Sequence, residues 1–147
     1  MVKGDAFIDF GMKSMNALHR ALWAVSGGRL LKSAGGMPVV ELHTTGRKSG
    51  QERTVILTSP VQPAEGTYVL VASKGGDDRN PDWYRNLVAE PEIALTVDGE
   101  RRPMRARTAT AEEKADLWPQ VVAAYKGYAG YQKRTERDIP LVICEPR

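Results

Sequence analysis

A chain of 147 residues is long enough for one domain with a continuous core. Apolar and charged fractions of 41% and 27% are ordinary for a globular protein and exclude extensive disorder. A net charge of +3 is too small to argue for nucleic acid, but residues 1–51 hold seven Lys/Arg against Asp5, Asp9 and Glu41, a local net of +4. An anionic partner should therefore meet the N-terminal third.

Cys144 is the single cysteine, so no intrachain disulfide can form and a reducing, cytoplasmic compartment is expected. His19 and His43 lack metal-ligand spacing, and no zinc site is expected. No apolar run approaches the ~18 residues of a membrane-spanning helix, and no signal-peptide pattern opens the chain.

In chain order, residues 5–26 have helical periodicity. Ile8, Met15 and Leu22 recur seven apart, with Leu18 and Val25 on the same stripe. Two readings stand for this amphipathic helix. It packs on its own domain or on a partner subunit, or it lies on anionic lipid as a peripheral contact with the inner face of the cell membrane. Residues 1–35 thus form a helix and linker, and 36–147 a β-rich domain.

Residues 38–46, 52–60 and 66–76 read as strands, the second rich in β-branched residues. Residues 80–91 read as a short helix, with Asn80 as N-cap and Pro81 in the first helical position. Residues 92–109 form a hairpin turning at Asp98-Gly99. Thr110 and Glu113 fit a capping box opening a helix to 125, which Pro119 should kink or split. Residues 126–138 read as partly helical, and 139–146 as the closing strand. About six mostly antiparallel strands with helices between them predict an α+β fold built on a small, nearly closed β-barrel. No G-x-G-x-x-G follows a strand, so a Rossmann fold has no support.

Three stretches could carry chemistry. In "TTGRKSG" (44–50), glycines let backbone N–H groups approach a ligand, Thr44, Thr45 and Ser49 add hydroxyls, and Arg47 and Lys48 add charge. That is an anion cradle, or a solvated hairpin loop with incidental charge. In "SKGGDD" (73–78), a strand end presents Ser73 and Lys74, while Asp77 and Asp78 read as solvated turn residues ahead of partners for Arg79. Tyr125, Tyr128 and Tyr131 are spaced to line one side of a helix, where they could stack on a planar ring or supply phenol protons. The alternative is an aromatic staple over the core. His43 reads as a structural hydrogen-bonding residue and Cys144 as buried. With no nucleophile elbow or close carboxylate pair, a bound organic cofactor is expected to do the hard chemistry.

"LHTTGRKSGQERT", "VLVASKGGDDRNPDWYRNL", "WPQVVAAYKGYAGYQ" and "DIPLVICEP", in this order and spacing, resemble the deazaflavin-dependent nitroreductase family of mycobacteria and related actinobacteria. The resemblance runs from about residue 38 to the C-terminus. It implies a split β-barrel that binds coenzyme F420, a 5-deazaflavin with a phosphate and a polyglutamate tail. It implies hydride transfer from reduced F420 to quinones, activated alkenes such as enones, or nitroaromatic compounds. By the same resemblance, cofactor binding falls to Arg47, Lys48, Ser49, Arg53, Thr54, Val55, Ile56, Leu57 and Thr58 around the basic turn. Val71, Ala72, Ser73 and Lys74, then Trp83, Tyr84 and Asn86, and finally Tyr128 complete that set. Ser73, Tyr125, Tyr128 and Tyr131 match catalytic or substrate-side positions. Thr58 departs from the tyrosine of members that activate nitroimidazoles, which puts nitroimidazole reduction in doubt. The alternatives are an FMN-dependent split-barrel oxidoreductase and a non-catalytic F420 carrier. The expected partner is a small-molecule substrate and not nucleic acid, with the chain a monomer or homodimer.

Overall fold

The computed structural model describes residues 33–34 and 36–147. The helix expected over 5–26 and the boundary expected near residue 35 lie outside the described residues.

Seven strands form one sheet: β1 (Ser33–Ala34), β2 (Met37–Thr45), β3 (Glu52–Thr58), β4 (Tyr68–Val71), β5 (Glu92–Val97), β6 (Glu100–Thr108) and β7 (Leu141–Pro146). Three α-helices accompany them: α1 (Asp82–Ala89), α2 (Ala111–Ala124) and α3 (Gly127–Lys133). The strand order is β1-β2-β5-β6-β7-β4, with β3 also on β2, and every pairing is antiparallel. The chain after β3 returns to β4 through a single bridge between Val61 and Val69. Ser59 secures this seam, its hydroxyl donating to the carbonyls of Val61 and Val69. The sheet therefore curls into a split barrel, as the strand pattern predicts.

Alternation places the core. On β4 and β7, Leu70, Val142 and Cys144 face the barrel interior, where they join Leu42, Leu95 and Met104. Val69, Val71, Leu141 and Ile143 face outward into a second cluster with Leu117, Val121 and Tyr128 of the flanking helices. Both faces of this part of the sheet are covered, which explains the unbroken apolar run "LVIC". Each such buried Val or Leu contributes roughly 1.5–3 kcal/mol relative to exposure.

Local chemistry sets the ends of the elements. Asp98 and Gly99 have φ of 52° and 78°, the paired left-handed conformation of a two-residue hairpin turn. Thr110 and Glu113 form the predicted capping box, each side chain accepting from the other's backbone N–H.

Three expectations are corrected. The third strand stops at Val71, because Lys74, Gly75 and Gly76 take left-handed conformations in a 3-10 turn (Lys74–Gly76). Pro81, extended at ψ 153°, is itself the N-cap of α1, while the Asn80 side chain accepts a hydrogen bond from Arg137 instead. Pro119 does not split α2. It lies on the exposed face, as does Ala115, whose carbonyl it leaves without the helical N–H partner. The break comes at Tyr125, whose extended backbone separates α2 from α3.

Candidate functional site

The turn joining β2 to β3 is built around glycine. Gly46 N–H donates to the Gln51 carbonyl at 2.7 Å, and Gly50 N–H returns to the Gly46 carbonyl at 2.8 Å. A Cβ at Gly46 would stand 2.6 Å from Ser49 Oγ and 3.2 Å from the Gln51 carbonyl, so a side chain there would displace the Ser49 hydroxyl and crowd the turn. The Ser49 hydroxyl accepts from the Gln51 N–H at 3.2 Å and is 3.5 Å from the Arg53 guanidinium. Lys48 and Arg53 make no ion pair with any described residue.

Across from the turn stands the first half of α1. Asn86 Oδ1 accepts from the Arg47 backbone N–H at 3.2 Å and from its guanidinium at 2.8 Å. The buried Asn86 amide also reaches Thr44 Oγ1 at 3.5 Å. Arg47 further pairs with the exposed Asp82 at 3.3 Å. Between turn and helix lies a groove of about 490 Å³ lined by Thr44, Gly46, Arg47, Lys48, Ser49, Arg53, Thr54, Val55, Asp82, Trp83 and Asn86. Eight of the expected cofactor residues, Arg47, Lys48, Ser49, Arg53, Thr54, Val55, Trp83 and Asn86, thus meet in one cavity.

The other expected residues are distributed by strand alternation and loop path. Val55 and Leu57 pack against the barrel interior. Thr54, Ile56 and Thr58 stand on the opposite face, where Thr54 meets His43 and Thr58 meets Tyr128. Side chains of the five residues Thr54–Thr58 therefore divide between the two faces of β3. Tyr84 turns to β6, its hydroxyl 2.9 Å from Thr108 Oγ1, and is not part of the groove.

Val71, Ala72 and Ser73 are buried at the end of β4. The loop that follows is pinned by charge. Asp77 is 1% exposed and accepts from Arg79 Nε at 3.0 Å and Nη2 at 2.7 Å, with Lys74 Nζ at 3.8 Å. The Arg79 hydrogen bonds hold its carboxyl below the usual range. This corrects the reading of Asp77 as a solvated turn residue; Asp78 is exposed as expected. Arg137, singled out by no sequence signal, donates to the carbonyls of Ala72, Ser73 and Asp77 and to Asn80 Oδ1.

The tyrosines do form one cluster. Ring centroids are 5.2 Å apart for Tyr125–Tyr128, 6.1 Å for Tyr128–Tyr131 and 6.3 Å for Tyr125–Tyr131, with the rings edge-on or tilted. Tyr128 is buried in the outer core, its hydroxyl 3.4 Å from Thr58 Oγ1. Tyr125 is 44% exposed and its hydroxyl lies 3.4 Å from that of Tyr131. Burial raises the pKa of Tyr128, and burial with the Tyr125 contact pushes Tyr131 up to about 12. Both phenols hold their protons at neutral pH and can donate.

His43 is buried between Thr54 Oγ1 at 3.2 Å and Thr96 Oγ1 at 2.7 Å, the structural role its strand position predicts. Burial, with Arg101 nearby, lowers its pKa. Cys144 is buried in the barrel interior, and burial pushes its thiol up to about 12, so it is no thiolate nucleophile. No group of metal-ligating side chains occurs among the described residues. No described helix is long and apolar enough to cross a membrane.

A curled antiparallel barrel thus carries a cation-lined groove at the β2–β3 turn, and a phenol cluster that packs against its outer face at Thr58. Comparison gives the family. The model of the F420H(2)-dependent quinone reductase family matches residues 15–146, and the chain belongs to that family. It is 39% identical over 136 residues to the F420H(2)-dependent quinone reductase Rv1261c of Mycobacterium tuberculosis, covering 88% of this chain and 89% of that protein. It is 38% identical to a second protein of that organism, named a putative F420H(2)-dependent quinone reductase, over 76% of this chain and 92% of the relative. Among solved structures, an F420-H2 dependent reductase superposes with a TM-score of 0.66 at 41% identity, over 74% of this chain and 94% of that one. Another, described as a domain-swapped dimer, gives a TM-score of 0.66 at 36% identity over 86% and 98%.

Proposed function

We infer that this chain is a reductase that uses reduced coenzyme F420 to reduce quinones. The observation that carries the reading is the groove between the basic turn and α1. Its walls hold Lys48 and Arg53, which have no carboxylate partner among the described residues, beside a backbone shaped by Gly46 and Gly50. Those donors fit a polyanionic cofactor, since each charge-assisted hydrogen bond to phosphate or carboxylate contributes about 1.5–3 kcal/mol before screening.

In this assignment Arg47, Lys48, Ser49 and Arg53 hold the anionic part of the cofactor, and Trp83 and Asn86 form the facing wall. The backbone around Val71 and Ala72, with Ser73 and Lys74, adds to the binding surface from the end of β4. Reduced F420, when bound, supplies a hydride; the quinone takes it up with a proton and becomes the hydroquinone. Ser73 and the phenols of Tyr125, Tyr128 and Tyr131 are the groups assigned to the acceptor side. Their part is to donate hydrogen bonds to the acceptor oxygen as negative charge develops there, and to pass on the proton. Phenols with raised pKa values remain protonated for that task. The same hydrogen-bonding serves an enone, and enone and nitroaromatic acceptors extend the proposal. Thr58, held against Tyr128, makes a wall with less aromatic surface than a tyrosine there would give. This argues for quinones and enones ahead of bicyclic nitroimidazoles.

Quinones are lipophilic, which suits the sequence reading of residues 5–26 as a peripheral membrane contact. Liposome co-sedimentation of the whole chain against one beginning at Gly36 tests that contact; equal recovery of both in the pellet removes it.

The function is tested by titrating the protein with F420 and, separately, FMN, followed by fluorescence. Reduced F420 and a quinone are then supplied and the return of oxidised-cofactor fluorescence is recorded. Binding of F420 with quinone-dependent turnover is expected. Binding of FMN alone, or of F420 without turnover on any acceptor, overturns the assignment.

A further inference from the structure

The guanidinium of Arg137 is spent on one loop. Nε donates to the Asp77 carbonyl at 2.8 Å, Nη1 to Asn80 Oδ1 at 2.9 Å, and Nη2 to the carbonyls of Ala72 at 3.1 Å and Ser73 at 2.9 Å. All three nitrogens are used and every acceptor lies within residues 72–80. The acceptors are mostly backbone oxygens, so the contact fixes the path of the chain and not merely a side chain. The neighbouring segment adds two restraints. Arg134 donates to the Gly75 carbonyl at 3.3 Å. A Cβ at Gly76 would lie 2.8 Å from the Tyr131 carbonyl, so the turn is pressed against the tyrosine helix α3.

We propose that Arg137 is a positioning residue of the reductase: it holds the loop carrying Ser73 and Lys74 in its cofactor-binding path. The proposal rests on the assignment of Ser73 and Lys74 to F420 binding. Lysine cannot replace it, because an ammonium is a single point of charge whereas the planar fork reaches four acceptors in fixed directions. The geometry of the fork is what the loop uses.

Arg137→Ala and Arg137→Lys test this beside the unaltered protein. Folding is checked by thermal unfolding. Amide hydrogen exchange without cofactor reports the loop directly, through the Gly76 and Asp77 N–H groups that close the turn onto Ser73 and Lys74. F420 affinity is read by fluorescence titration. The expected result is faster exchange confined to residues 73–80 and a dissociation constant raised about tenfold in both variants. Millimolar guanidinium should restore both readouts in Arg137→Ala and neither in Arg137→Lys. A folded variant with a loosened loop and unchanged F420 affinity overturns the proposal, as does unchanged exchange. Should Arg137→Ala fail to fold, Arg137→Lys decides by the same two readouts. If the unaltered protein does not bind F420, the functional assignment itself has failed and the proposal falls with it; normal binding by that control confines any failure to Arg137.

Discussion

Two segments of this chain look alike on paper. Residues 44–53 and 72–80 are both glycine-rich, both strongly charged and both placed at the end of a strand. In the folded protein they are opposites. The first keeps Lys48 and Arg53 without carboxylate partners among the described residues, while Arg47 is committed to Asn86 and Asp82 and Glu52 to Arg101. The second satisfies its charge internally, with Asp77 buried against Arg79 and its carbonyls held by Arg137. Charge left without a counter-ion at a groove is available to a ligand. Charge neutralised at close range in a buried site is spent on shape.

The comparison breaks most visibly at the basic turn. Replacing Arg47 and Lys48 together by Ala should raise the F420 dissociation constant at least a hundredfold, from the loss of two charge-assisted contacts of about 1.5–3 kcal/mol each. The two residues differ in what else they do. Arg47→Ala also removes the guanidinium donor to the buried Asn86 oxygen, which keeps the backbone N–H of residue 47, and should lower stability by about 0.5–1.5 kcal/mol. Lys48→Ala should leave the melting temperature unchanged while still weakening F420. Equal affinity of the double variant and the unaltered protein in titration would remove the turn from the site.

At the second loop the expected order of effects reverses. Asp77→Asn should cost about 2 kcal/mol in urea unfolding, because two Arg79 hydrogen bonds and the Lys74 pairing lose their charge while the group stays buried. Its F420 affinity at low temperature, where the variant is folded, should change less than that of Lys48→Ala. A larger affinity loss than stability loss would show that this loop, too, is chiefly a ligand-binding device.

Tyr128→Phe removes the hydroxyl facing Thr58 and keeps the ring in the outer core, so the fold should stand within about 1 kcal/mol. Turnover with quinone should fall or the acceptor preference shift. Unaltered kinetics across quinones and enones would assign Tyr128 to packing alone.

The smallest expected effect concerns His43. Its folded pKa lies below the ordinary value because burial disfavours the charged ring. Its contribution is therefore intact above the unfolded value of about 6.5 and is lost as the pH falls below it toward the folded pKa. The drop in melting temperature between about pH 7.5 and about pH 5.5, on either side of that value, should be smaller in His43→Asn. An identical drop in both proteins would mean the ring titrates alike folded and unfolded.

The barrel was legible because its signals are local. Alternation marked the strands, Asp98-Gly99 marked the hairpin, and Thr110 with Glu113 marked the start of α2; each works within a few residues and needs no partner elsewhere. The basic turn was legible for the same reason, since glycine spacing and cation density are properties of the segment itself. Where local signals misled, a distant residue had intervened. Asn80 has the chemistry of a cap, but Arg137 takes its oxygen. Tyr84 stands beside Trp83 in sequence, yet the helix sends one ring toward the groove and the other to Thr108.

By itself, then, the sequence determined the order of the strands, the Thr110–Glu113 cap, the Asp98-Gly99 turn and the cluster of positive charge at residues 47–53, because backbone preference and side-chain periodicity act over one or two turns of chain. Only the tertiary structure decided which charges stay open and which are consumed. Asp77 is a solvated acid or a buried anchor according to where Arg79 and Arg137 fall, and Arg137 meets the loop across 57–65 residues of intervening chain. Pairing at that separation depends on how the barrel closes, and no local pattern of residues encodes it.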